Sequence, residues 1–146
     1  MLRTLKIIRE QGVWLEIVYL VLPTLNDSPE EIRALSKWIR KELGPDVPIH
    51  FSRFYPTYLM KNLPPTPVDT LEKLWRIARS EGLRFVYIGN VPGHPGESTY
   101  CPECRIRLIH RTGYNVRVEA LRSGKCEKCG QTIPGVWEDQ RRDKLS

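Results

Sequence analysis

The spacing of apolar and polar positions over residues 1–89 predicts three successive helix–strand pairs. Leu2, Leu5 and Ile8, with Ile7 beside them, recur at helical spacing, so residues 1–10 predict an amphipathic helix. Gln11-Gly12 stops it, because glycine takes the left-handed conformation that closes a helix. Residues 13–22, VWLEIVYLVL, are almost continuous in apolar and β-branched side chains. That is the pattern of a parallel-sheet strand covered on both faces. Pro23 ends it. Ser28 then offers a cap, Pro29 suits the first helical position and Glu31 completes a capping box. Ile32, Leu35, Ile39 and Leu43 follow on one face until Gly44-Pro45.

Residues 49–55 predict a second strand of mixed character. Ile49, Phe51, Arg53 and Tyr55 share one face, and His50, Ser52 and Phe54 the other. Thr66-Pro67-Val68-Asp69 repeats the cap-then-proline start, and Leu71, Leu74, Trp75 and Ala78 give the next helix its buried side. Gly82 stops that helix, and residues 85–88 predict a third strand. Trp14, Trp38 and Trp75 read as packing residues. Alternation with short connections implies an α/β fold with a parallel sheet and right-handed crossovers.

In such folds the loops after strand C-termini carry function, here residues 23–27, 56–65 and 89–100. The second is long for its kind, and Tyr58, Met60, Lys61 and Asn62 are placed to reach over a site. Three parallel strands leave two bare edges. Either the sheet pairs with another chain or the rest of it is encoded elsewhere, and a helix that begins at once without a cap suggests missing upstream chain. Glu16 interrupts an apolar run, and a buried carboxylate needs a partner or a ligand. Two readings stand open for it: a binding role in the interior, or a salt bridge to Arg53. His50 reads as a hydrogen-bonded core residue.

Beyond residue 100 the chemistry changes. Cys101-Pro102-Glu103-Cys104 and Cys126-Glu127-Lys128-Cys129 are two CxxC knuckles, with Gly130 suited to the second turn. Together they supply a tetrahedral four-sulfur set for one metal ion, with zinc favoured over an iron–sulfur site. Residues 105–110 and 114–121 predict a hairpin about Thr112-Gly113, and residues 131–137 a further strand, which makes a zinc ribbon. So small a module needs its metal to fold. Residues 89–97, GNVPGHPGE, admit two readings: a ligand cradle using Asn90 and His94, or an interdomain linker. They match neither a P-loop nor a dinucleotide fingerprint.

Composition adds bounds. The 146 residues suffice for one domain and a small appendage. No run of eighteen apolar residues exists, so no membrane span is expected. The basic N-terminus lacks the apolar core and cleavage site of a signal peptide. Cysteines confined to two tight pairs point to a reducing compartment, so a cytoplasmic location is expected. The formal charge of +6 permits a polyanion partner. Arg105, Arg107, Arg111, Arg117 and Arg122 in the ribbon fit either nucleic-acid contacts or a solvated face, and residues 138–146, with Arg141, Arg142, Asp143 and Lys144, read as a charged tail.

Several segments taken together resemble a known family. Leu22-Pro23-Thr24-Leu25-Asn26-Asp27-Ser28, Phe51-Ser52-Arg53-Phe54-Tyr55-Pro56, residues 86–94 (VYIGNVPGH), and the knuckles before Pro134-Gly135-Val136-Trp137 are similar to the C-terminal half of a radical SAM protein. The type is that of pyruvate formate-lyase activating enzymes, in the AmmeMemoRadiSam-associated subgroup. The resemblance implies a partial (β/α) barrel over residues 1–89, a linker over 90–100 and a zinc ribbon over 101–137. It also implies a [4Fe–4S] cluster held by a CxxxCxxC loop, with S-adenosylmethionine on the open iron as the source of a 5′-deoxyadenosyl radical. This sequence has no CxxxCxxC and no Cys before position 101, so cluster and S-adenosylmethionine would come only through a missing N-terminal half. Family positions that approach the adenosyl ligand, an Arg and a His, correspond here to Glu16 and Tyr55. The partners implied are that N-terminal half, or self-association through the open sheet edges, with a protein or small-molecule substrate. The alternative is a non-catalytic zinc-ribbon module that binds nucleic acid or protein.

Overall fold

A computed structural model describes residues 1–59 and 61–137. Met60 and the charged tail of residues 138–146 lie outside the described residues. The first half runs α1 (Leu2–Glu10), β1 (Ile17–Val21), α2 (Pro29–Glu42), β2 (Ile49–Arg53), α3 (Val68–Ser80) and β3 (Val86–Gly89). The strands form one parallel sheet in the order β1-β2-β3, with Ile17 opposite Ile49 and Ile49 opposite Val86. This is the α/β alternation that the periodicity predicts.

Period-two alternation divides the sheet into two faces. Val21, Ile49, Phe51, Val86 and Ile88 turn toward the helices and join Ile32, Ile39, Leu71, Leu74 and Ala78 in the main core. The other face carries the row Val18–His50–Tyr87 and the row Leu20–Ser52–Gly89. The expectation that β1 is covered on both faces needs correction, since Val18 is 71% and Leu20 46% exposed. An apolar run marks what a strand can bury, and covering β1 would take a second layer that the ribbon supplies only farther along the sheet.

Local signals act largely as their chemistry dictates. The Ser28 hydroxyl caps α2 by accepting from the Glu31 amide at 3.4 Å, but donates to Glu30 at 2.9 Å, so the partner in the box is Glu30. Thr66 does not cap α3, whose N-cap is Pro67. It is fully buried, its hydroxyl donating to the Val21 carbonyl at 2.6 Å and accepting from the Phe54 amide at 2.9 Å. It thereby welds the C-terminal ends of β1 and β2, and fixes the far end of the 56–65 loop. α1 has no fully buried residue, but Leu5 packs against the main core, and Lys6–Glu42 at 2.8 Å and Arg9 to the Leu43 carbonyl at 3.0 Å fix its edge.

After β3 the chain makes a short 3-10 turn, Pro95–Glu97, then β4 (Thr99–Tyr100), β5 (Arg107–Thr112) and β6 (Asn115–Val118) in one antiparallel sheet. β7 (Leu121–Arg122) pairs with β8 (Lys125–Cys126). The hairpin falls where expected, with Gly113 at φ +57°. Two boundaries differ. Thr99 and Tyr100, expected in the linker, pair with β5, and the strand expected over 131–137 is a single bridge between Lys125 and Thr132. The ribbon core is Phe85, Cys101, Leu108, Ile109, Cys126 and Ile133.

Candidate metal centre

The two knuckles follow one path. Cys101 N–H donates to the Ile106 carbonyl at 2.9 Å and Arg105 N–H to the Cys101 carbonyl at 3.0 Å. Cys126 N–H donates to Gln131 at 2.9 Å and Gly130 N–H to Cys126 at 2.9 Å. Each turn closes through a left-handed residue, Arg105 at φ +65° and Gly130 at φ +77°. Glycine makes that conformation at no steric cost, whereas Arg105 adopts it against its own Cβ.

This folding gathers four sulfurs. Cys101 and Cys129 lie 3.6 Å apart, Cys104 and Cys126 also 3.6 Å, and all four sulfurs fall within 4.8 Å of one another. A tetrahedral ion with metal–sulfur bonds of about 2.3 Å requires sulfur–sulfur edges of about 3.8 Å. The set therefore fits one mononuclear ion. A four-iron cluster places each sulfur on a different iron and spreads them farther. Burial opposes ionisation of Cys126, but the amides of Cys129 and Lys128 outweigh it and bring its thiol down to about 7. The Gln131 amide favours the Cys129 thiolate, yet burial and the crowded sulfurs push it up to about 12. A cation relieves that crowding, so binding releases protons. Four thiolates complete a tetrahedral shell and leave no position for substrate.

Three of the ribbon arginines are engaged internally. Glu119 accepts from Arg107 at 2.8 and 3.1 Å and from Arg117 at 2.8 Å, which holds its carboxyl down at about 2. Arg111 donates to Thr99 Oγ1 at 2.6 Å and lies over the Tyr87 ring at 5.8 Å.

A cleft of about 540 Å³ separates the ribbon from the outer sheet face, with Trp14, Glu16, His50, Tyr87, Arg111 and Trp137 among its walls. Glu16 is not deeply buried, its side chain being 45% exposed, and its partner is His50 Nε2 at 2.7 Å rather than Arg53. Trp14 Nε1 also donates to it at 2.9 Å, so this indole has a polar task besides packing. The hydrogen bond to His50, outweighing partial burial, lowers the Glu16 pKa. His50 stacks on Tyr87 at 4.7 Å, and the Tyr87 hydroxyl meets Thr99 Oγ1 at 2.9 Å. Sequence reasoning missed this chain of contacts. Its one signal was that His50 and Tyr87 share the polar face at matching strand positions.

Arg53 lies at the opposite end of the sheet, opposite Val21. There it donates to the Thr66 carbonyl at 2.8 Å and the Tyr55 hydroxyl at 2.7 Å. Asn90, at φ +62°, donates to the Arg53 carbonyl at 3.1 Å. Tyr55 and Asn90 are thus joined through Arg53, while Glu16 sits a strand length away, about 16 Å for five residues. His94 Nδ1 accepts from the Gly96 amide at 2.9 Å, leaving the ring proton on Nε2 to donate to Glu72 Oε1 at 2.9 Å. A Cβ at Gly96 would stand 2.9 Å from that Nδ1 and 3.1 Å from Ile88 Cβ. The 89–97 loop is therefore a built turn in which Asn90 and His94 bond to the protein. Tyr58, in the longer loop, is exposed with φ +50°.

No known protein family profile matches the chain. Over 134 residues, 90% of its length, it is 43% identical to an uncharacterized protein of Methanocaldococcus jannaschii. The chain spans 40% of that relative's length. Among the described residues no helix is long and apolar enough to cross a membrane.

Proposed function

We propose that this chain is the C-terminal portion of a radical SAM protein of the pyruvate formate-lyase activating enzyme-like type. In this reading it completes a (β/α) barrel wall, carries a structural zinc ion and is not catalytic alone. The observation that carries the reading is the half-covered parallel sheet. All-parallel sheets are normally covered on both faces. Here Val18 and Leu20 stand exposed beside a β1 edge that no other strand pairs with among the described residues, as the interior of an unfinished barrel would. The sequence motifs and the greater length of the archaeal relative support it further.

The four cysteines do not fit the catalytic cluster. They belong to one closed knuckle pair, and no other Cys exists to form a CxxxCxxC loop. No step is derived through that cluster, nor through S-adenosylmethionine. Zinc is the ion proposed for Cys101, Cys104, Cys126 and Cys129, because a closed four-sulfur shell needs neither redox change nor an open site. Thiolate ligation fits a reducing, cytoplasmic setting.

A chimera tests the proposal. The matched segment of the archaeal relative is replaced by this chain, and the product is reconstituted anaerobically with iron, sulfide and zinc. The expected outcome is a brown protein with one zinc besides its iron, which releases 5′-deoxyadenosine from S-adenosylmethionine. A colourless, iron-free product from both the chimera and the parent would overturn the radical SAM reading and leave a zinc-ribbon binding module.

A further inference from the structure

A second cavity, of about 380 Å³, opens on the far side of β3 from the Glu16–His50 pair, between α3 and the first knuckle. Trp75, Tyr87 and Tyr100 supply aromatic wall, and Arg76, Arg79, Arg84 and Arg105 supply charge. Two of these cations are spoken for. Arg76 lies 3.6 Å from Glu72, which also takes His94. Arg84 lies 3.0 Å from Asp46 and 3.6 Å from Glu103. Among the described residues no carboxylate comes within 4.0 Å of Arg79 or Arg105. Arg79 spends one nitrogen on the Arg84 carbonyl at 2.7 Å and lies over the Trp75 ring at 5.5 Å. Its planar fork is thereby oriented while its remaining donors stay unused. Burial, and then the Arg105 charge, lower its pKa. Arg79 and Arg105 both line the cavity and are its two arginines without a carboxylate partner among the described residues.

Arg105 adds an independent sign. It occupies the left-handed position that Gly130 holds in the second knuckle. A strained residue where glycine would serve the fold better points to a task for its side chain. The cavity also depends on close backbone approach at Gly96, which lines it against Ile88.

We propose that this cavity binds a small molecule carrying a phosphate monoester on an apolar, planar body. A phosphate monoester near neutral pH carries close to two negative charges, matching Arg79 and Arg105, whereas a monocarboxylate neutralises one. Forked guanidinium donors suit phosphate oxygens. The aromatic walls take the body, and the volume lies at the small end of ligand sites. The inference rests on the knuckle and α3 and stands whether or not the chain belongs to a radical SAM protein.

The test is calorimetric titration of the full zinc-loaded chain with phenyl phosphate, inorganic phosphate and benzoate at low salt. Phenyl phosphate should saturate one site, about tenfold tighter than either of the other two. Arg79→Ala and Arg105→Gly should each weaken it about tenfold or more, and Arg122→Ala, on the exposed ribbon surface, should not. Arg105→Gly should melt at or above the wild-type temperature, because glycine suits that backbone, so its loss of binding cannot be a loss of fold. No saturable binding at millimolar phenyl phosphate would overturn the proposal. So would equal losses in Arg122→Ala and Arg105→Gly, or equal affinity for phenyl phosphate and inorganic phosphate.

Discussion

Among the described residues the parallel sheet keeps fourteen buried apolar residues together beneath its helices, whereas the ribbon core holds six, of which two are cysteines of the four-sulfur set and one, Phe85, comes from the sheet half. The first half contains no cysteine and needs none: its stability follows from apolar area removed from water. The ribbon has three apolar residues of its own at the centre, Leu108, Ile109 and Ile133. So small an apolar centre needs a further source of stability, and the four gathered sulfurs offer one through a bound ion. One chain thus shows two ways of overcoming backbone entropy, and they should fail under different insults.

Removing the metal should produce the largest effect. Stripping the ion with a chelator, or substituting Cys126→Ser, should cost the ribbon on the order of 10 kcal/mol and unfold it. Amide exchange should then be fast in β5 and β6 and remain slow in β2, at the middle of the parallel sheet. Simultaneous loss of protection in both halves would break the comparison. Acid should have the same effect as a chelator, because protonation of the thiolates competes with the ion.

Phe51→Ala comes next in size. The ring is fully buried at the centre of β2 and meets Tyr19 edge-on at 6.0 Å. Its truncation should destabilise the sheet half by about 3–5 kcal/mol. Chemical denaturation checks this, and the metal content should stay at one ion per chain. A variant that loses its metal would show the two cores to be one cooperative unit.

Glu16→Gln is the smallest and is best measured in the Cys126→Ser background, where the metal does not interfere. The Glu16 pKa is lowered in the folded state by His50, so its stabilisation is present above the ordinary value of 4.5 and fades as pH falls below it. Because the pair is half exposed, the difference between the two proteins should stay under about 1 kcal/mol near pH 6.5. It should shrink below pH 4.5 and be gone only once the pH has fallen through the lowered folded-state pKa. A difference that persists in acid would show that the carboxylate acts through packing.

The order of elements, the paired knuckles and the hairpin were legible in the sequence because each depends on neighbours along the chain. Ser28 and Pro29 start α2 by local hydrogen bonding and a fixed φ. A CxxC turn is short enough to carry its own geometry. What the sequence did not disclose depends on register across strands. Glu16 meets His50 and not Arg53 because a parallel ladder sets Ile17 beside Ile49 and leaves Arg53 at the other end. Thr66 looked like a helix cap, and tertiary context gave its hydroxyl to Val21 and Phe54 instead. The exposure of Val18 and Leu20 is likewise invisible locally, because an apolar strand reads the same with or without its covering layer. Asn90 and His94 were read as polar contacts for a ligand, and in the structure both bond to the protein. Their partners, Arg53 and Glu72, lie 37 and 22 residues away, beyond the reach of pattern.

The loan of Phe85 to the ribbon sets an order of assembly. During synthesis the N-terminal half emerges first and can collapse on its own apolar side chains. The cysteines then meet a preformed wall, so the ion finds its ligands already tethered beside an aromatic ring. A ribbon severed from β3 would have to close over a gap the size of that ring, and should hold its metal more loosely than the same four sulfurs do in the whole chain.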